Sequence, residues 1–317
     1  MEIPVGVATQ RRRNGKQRIE TGWFFRSQTL LSSRKMTESA SKAKEILNLI
    51  YTNEWSDEER ELLLHSMLIK SGQTKVLNTI LDLAPDRQAC NERILQAVHL
   101  VKGKNFGFSG HGVIKLISGR FNEQQKSQIV RLMYQFNRLL QDELNIQSFI
   151  TSGTLLGMVR EGQFLPHDDD FDMAYISNCT DKTAIVNERQ KIFEAVNRST
   201  NFNIEERTGG RAAVFVTDEN LEFTFDLFAG YRNGEFFNEF PLQPDTMLIA
   251  NIAPVQVAKF YGEDICIPRK PEKLLEVNYG PGWKVPDPSF RFNFGEHRAY
   301  YNFLLKPVRE QAKKGSR

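Results

Sequence analysis

From residue 122 the chain repeats apolar residues at helical spacing. Ile129, Leu132, Met133, Phe136, Leu139 and Leu140 fall on one face, and the run lasts to Leu144. Asn122, with Gln125 three positions later, supplies a capping box at its start. Ser56 and Glu59 make the same pattern ahead of Leu62, Leu63, Met67 and Leu68. Residues 37–97 read as several short helices. Residues 102–112 contain Gly103, Gly107, Gly110 and Gly112 but match neither the P-loop nor the dinucleotide spacing, so they read as an ordinary connector.

Beyond residue 144 the texture changes. Residues 146–151 read as a strand, 154–160 as a short helix opening after Gly153, 170–176 as a strand and 181–198 as a helix. Two apolar strands, 211–217 and 221–229, meet at the hairpin signal Asp218-Glu219-Asn220. Asn233-Gly234 is a further tight turn, which makes 235–240 an added strand. Pro271 stands where a helix over 272–278 would start, and Tyr279-Gly280-Pro281-Gly282 stops it. The layout is α+β, with a helical N-terminal region.

Composition narrows the class. The 317 residues are 40% hydrophobic and 26% charged, as expected of a globular chain, and 23 phenylalanines supply core material. The net charge of +3 is uneven: residues 1–36 hold eight Lys/Arg against two Asp/Glu, leaving −3 on the remainder. A global nucleic-acid field is therefore not supported, and no nucleic-acid partner is expected. The basic arm could touch phosphates or a membrane surface, but it reads as solvated and poorly ordered. Cys90, Cys179 and Cys266 are scattered, which argues against disulfides and a Cys-rich zinc site. No apolar run reaches the roughly 18–20 residues of a transmembrane helix, and no secretory signal precedes the chain's body. These features point to a cytoplasmic protein with reduced thiols, whose contact with a membrane, where it has one, is peripheral.

The chemistry concentrates at His167-Asp168-Asp169-Asp170-Phe171-Asp172. So many carboxylates repel one another unless a cation neutralises them. In a strand Asp170 and Asp172 point the same way, roughly 6.5–7 Å apart at Cα, and could converge on one hard cation, Mg²⁺ or Mn²⁺. Asp168 joins them only if the strand starts early; Asp169 points away. An acidic turn before a strand is the plainer alternative. However, Asp172 already lies inside an apolar run, where an unpaired carboxylate is costly. Asp226, embedded in Phe223-Thr224-Phe225-Asp226-Leu227-Phe228, is the candidate third metal ligand. The turn Ser152-Gly153-Thr154 joins a strand to a helix and could present N–H and hydroxyl donors to a phosphate. Arg160 could pair with that phosphate or with the acidic cluster. His167 reads as packing or as support behind the metal ligands, and Trp283 as a stacking or packing aromatic.

Two ordered stretches carry a resemblance. Ser152-Gly153-Thr154-Leu155-Leu156-Gly157-Met158-Val159-Arg160-Glu161-Gly162 and Phe164-Leu165-Pro166-His167-Asp168-Asp169-Asp170-Phe171-Asp172-Met173 resemble the LicD family. That family includes bacterial phosphocholine transferases, fukutin and fukutin-related proteins. The resemblance covers residues 122–305 and none of the first 120. It implies a nucleotidyltransferase-like mixed sheet flanked by helices, with Ser152-Gly153-Thr154 on the phosphate side and Asp170 and Asp172 holding Mg²⁺. It also implies transfer of choline-, ribitol- or glycerol-phosphate from a CDP-linked donor to a glycan hydroxyl, with release of CMP. The organisation expected is a basic arm over 1–36, a helical region over 37–121, the catalytic domain over 122–305 and a basic tail over 306–317. The chain departs from the family in lacking an anchor-like segment and the Cys cluster of the fukutin-related zinc site, which fits a soluble member acting on surface polysaccharide. The competing readings are a DxD glycosyltransferase using a nucleotide-sugar and a non-catalytic module of a polysaccharide assembly.

Overall fold

The computed structural model describes residues 56–305 except 110–111, 167, 169, 208–210, 219–220, 288–289, 291 and 293–294. The basic arm, the basic tail, His167, Asp169 and the tip of the 218–220 hairpin therefore lie outside the described residues. The chain forms two units, 1–64 and 65–317. Within the first, the Ser56 hydroxyl accepts from the Glu59 N–H (3.2 Å) while the Glu59 carboxylate accepts from the Ser56 N–H (2.8 Å), which is the expected capping box. It opens helix α1 (Asp57–Lys70).

The second unit continues with α2 (Thr74–Leu83) and α3 (Arg87–Lys102). The glycine-rich segment that follows is not a plain connector. Strands β1 (Phe106–Ser109) and β2 (Gly112–Lys115) pair antiparallel and pack on α2 and α3. The N-terminal region is thus helical with one hairpin added. A short helix, α4 (Ile117–Arg120), leads to α5 (Glu123–Leu144). The Asn122–Gln125 capping box forms in full, and Asn145 closes α5 in the left-handed conformation (φ 53°).

The main sheet is mixed. Its strands are β3 (Ser148–Ile150), β4 (Asp172–Ile176), β5 (Phe202–Glu206), β6 (Arg211–Asp218) and β7 (Leu221–Asn233), in the order β3-β4-β7-β6-β5. Strands β8 (Phe236–Glu239) and β9 (Met247–Leu248) extend it from β7. Among the described residues only β4 and β7 run parallel. Between β3 and β4 lie α6 (Ser152–Leu156) and one π turn (Gly157–Glu161); between β4 and β5 runs α7 (Lys182–Arg198), capped by Asp181. After β9 come α8 (Ile249–Ile252), the hairpin β10 (Gln256–Phe260)–β11 (Glu263–Ile267), α9 (Pro271–Tyr279) and α10 (Asn302–Leu305).

Alternation along β7 divides the sheet into two faces. Leu221, Phe223, Phe225 and Leu227 are buried, whereas Glu222 and Thr224 are exposed. The buried side lies under α5: the Phe136 ring meets Phe225 at 5.0 Å and Phe202 at 5.3 Å, both edge to face. Asp226 belongs to the opposite face. Because Asp172 pairs with Asp226 in the parallel register, both carboxylates stand side by side on that face. Burial of one face by α5 therefore fixes the direction in which the candidate site opens.

Candidate active site

The site begins with the turn after β3. The Thr151 N–H donates to the Asp172 carbonyl (3.1 Å), continuing the β3–β4 pairing by one residue. Ser152 then adopts φ +46°, the left-handed region disfavoured by a Cβ and often found at functional turns. The next two residues clasp Asp172. The Gly153 N–H donates to its Oδ2 (3.1 Å), and the Thr154 hydroxyl accepts from its backbone N–H (2.8 Å). Gly153 has a second role, since a methyl there would strike the Asp168 carboxylate. The turn expected to cradle phosphate is thus also the device that aims Asp172.

Asp168, Asp170 and Asp172 each present a carboxylate oxygen, and the three oxygens lie within 4.8 Å of one another. The reason differs from the expected one. Asp170 precedes β4 in a bend, so the bend and not strand alternation brings it to Asp172. Asp168, expected only as a helper, is a full member of the cluster. Asp172 is 8% exposed. Burial holds its carboxyl well above the usual range, and the Asp170, Asp168 and Asp226 charges push the same way against the Gly153 N–H. An all-oxygen set that crowded fits a hard divalent cation, which would remove the repulsion.

Asp226 is next to the cluster but is not one of those three. Its N–H donates to the Phe171 carbonyl (2.8 Å), and its Oδ2 pairs with the Arg211 guanidinium at 2.7 Å. Burial raises its pKa, Arg211 lowers it and Asp170 raises it again. Arg160 is committed elsewhere. It pairs with Glu161 (2.6 Å) and donates to the Trp283 carbonyl (3.2 Å). Trp283 is 7% exposed and packs in the core cluster.

Sequence reasoning missed three groups. Tyr279 ends α9, and its phenol is held well above its ordinary pKa by burial and by the Asp172 and Asp168 charges. Glu239 closes β8, is 2% exposed and accepts a hydrogen bond from the Thr151 side chain. Arg211 opens β6. Glu239 carried a signal: it is a carboxylate inside Phe236-Phe237-Asn238-Glu239-Phe240, the same context that singled out Asp226.

Residues 145–270 match the family model described as the LicD/FKTN/FKRP nucleotidyltransferase domain. That likeness covers less than half of the chain. The matched stretch runs through β3–β11 and includes all four site aspartates, Arg211 and Glu239. No curated protein matches the sequence. Several solved structures are similar, two of which follow. The antibiotic-resistance factor ANT(2'')-Ia is 12% identical, with a TM-score of 0.32 over 60% of this chain and 94% of that one. The STING-associated CdnE c-di-GMP synthase from Capnocytophaga granulosa is 9% identical, with a TM-score of 0.29 over 81% of each chain. Both superpositions are loose. Among the described residues no helix is long and apolar enough to cross a membrane.

Proposed function

We propose that this chain is a metal-dependent phosphotransferase that moves a phospho-alcohol from a CDP-linked donor to a glycan hydroxyl and releases CMP. The observation that carries the reading is the convergence of Asp168, Asp170 and Asp172 beside Asp226, inside the stretch that matches the LicD family model. A Mg²⁺ or Mn²⁺ ion held by those three carboxylates would neutralise charge on the phosphoryl oxygens. The chain's own groups do the rest. The Ser152-Gly153-Thr154 turn fixes Asp172 through two hydrogen bonds. The acceptor oxygen attacks the phosphorus bearing the alcohol, the bond from that phosphorus to the CMP oxygen breaks, and Asp226 or Asp168 takes the hydroxyl proton.

Asp170→Asn and Asp172→Asn should each lower CMP release from CDP-choline, CDP-glycerol or CDP-ribitol by about a hundredfold or more while the fold is kept. Wild-type rates in either variant would overturn the reading. Release of a nucleoside diphosphate from a nucleotide-sugar, with no CMP from any of the three donors, would favour a DxD glycosyltransferase instead.

A further inference from the structure

Arg211 reaches the site through the sheet register. Ala213 pairs with Asp226, so Arg211, two residues before Ala213, shares the face of Asp226 and lies diagonal to it. The methyl of Ala213 leaves that diagonal open, and the Arg211 guanidinium crosses it to Asp226 at 2.7 Å. Asp226 is mostly covered at 13% side-chain exposure, but Arg211 keeps 42%. Arg207 donates its N–H to the Arg211 carbonyl (3.0 Å) and holds its guanidinium 5.6 Å from the Phe215 ring centroid. Phe215 is on the same face as Ala213 and Arg211. Two guanidinium groups therefore border a cluster that is otherwise all carboxylate.

A half-exposed ion pair adds little to stability, so Arg211 is poorly explained as a staple of the sheet. A guanidinium matches phosphate as well as it matches carboxylate, through the same planar pair of N–H donors. We propose that Arg211 is a phosphate-binding residue, positioned by Asp226 to meet the donor's phosphate beside the metal cluster, with Arg207 completing the anion-binding subsite. This rests on the metal-dependent reading above. It assigns phosphate binding to the β5–β6 end of the sheet in addition to the turn after β3.

The test is a calorimetric titration of the full chain with Mn²⁺ alone, then with CMP at saturating Mn²⁺, for wild type, Arg211→Met and Arg211→Lys. Removing the competing cation should tighten Mn²⁺ binding in R211M about fivefold, and losing a charge-assisted contact should weaken CMP about tenfold. R211K keeps the charge but not the paired donors, so its Mn²⁺ affinity should stay near wild type while CMP weakens severalfold. If R211M does not fold, the R211K pattern decides. Unchanged CMP affinity in both variants, or weaker Mn²⁺ binding in R211M, overturns the assignment while leaving the metal site standing. A wild-type chain that binds no Mn²⁺ overturns both readings.

Discussion

Glu239 shows at the scale of one residue how burial sets charge. Its Oε2 has no hydrogen-bond partner among the described residues, and burial pushes the carboxyl up to about 8, against the Thr151 hydrogen bond. The folded protein therefore keeps this group protonated at neutral pH, which spares the nearby Asp172 cluster a further negative charge. A raised folded pKa means that the associated stability is complete below the unfolded value near 4.5 and is lost as pH rises through about 8. The loss is on the order of a few kcal/mol. Glu239→Gln should thus match wild type in melting temperature at pH 4.5 and exceed it increasingly up to pH 9. Parallel melting curves for the two proteins across that range would show that Glu239 ionises without cost. The same residue marks a limit of reading sequence. A carboxylate inside an apolar run was enough to find Asp226, and it applies equally to Glu239. What hid Glu239 is that 235–240 reads as an added edge strand, where a charged residue is ordinary.

Elements were legible where one regular pattern lasted long enough. Helix α5 repeats its apolar face from Ile129 to Leu144 and carries its N-terminal cap in its sequence, so its start at Glu123 after Asn122 follows directly. Strand β10 has only Phe260 buried and is therefore nearly without an apolar pattern. Its turn, Tyr261-Gly262, uses positive φ at both positions (49° and 82°), a geometry that the presence of Tyr does not announce. The bend that delivers Asp170 is invisible for a related reason: strand periodicity predicts alternation but says nothing of residues just outside the strand. The helix-to-sheet contact of α5 is testable by itself. Phe136 is fully buried and meets two strands of the sheet, so Phe136→Ala should cost about 3–5 kcal/mol in urea unfolding. Its effect on CMP release per folded molecule should be small, because Asp172 and Asp226 face the other side. A large fall in rate with little loss of stability would mean that the two faces are coupled.

At the scale of the molecule, two residues ahead of the expected division at residue 122 pack with the sheet. Ile117 (2% exposed) and Phe121 (7%) belong to the same buried cluster as the sheet, whereas Leu77, Leu81, Ile94, Ala97 and Val98 are buried outside it, in α2 and α3. The Ile117 N–H also donates to the Pro166 carbonyl (3.1 Å), and the Phe121 ring lies 6.1 Å from that of Phe171, the neighbour of Asp172. Sequence reading put the boundary at the cap of α5 because a cap is a strong local signal, while the packing of two preceding apolar residues is a tertiary fact. Two fragments separate these boundaries. Residues 117–317 keep every member of the cluster; residues 122–317 lose Ile117 and Phe121, about 4 kcal/mol of apolar burial. For a domain near 200 residues that is a fall of about 10 °C in melting temperature. The shorter fragment should also bind Mn²⁺ more weakly, because Phe171 loses its support next to the aspartates. Equal melting temperatures and equal Mn²⁺ affinities for the two fragments would place the boundary at Asn122.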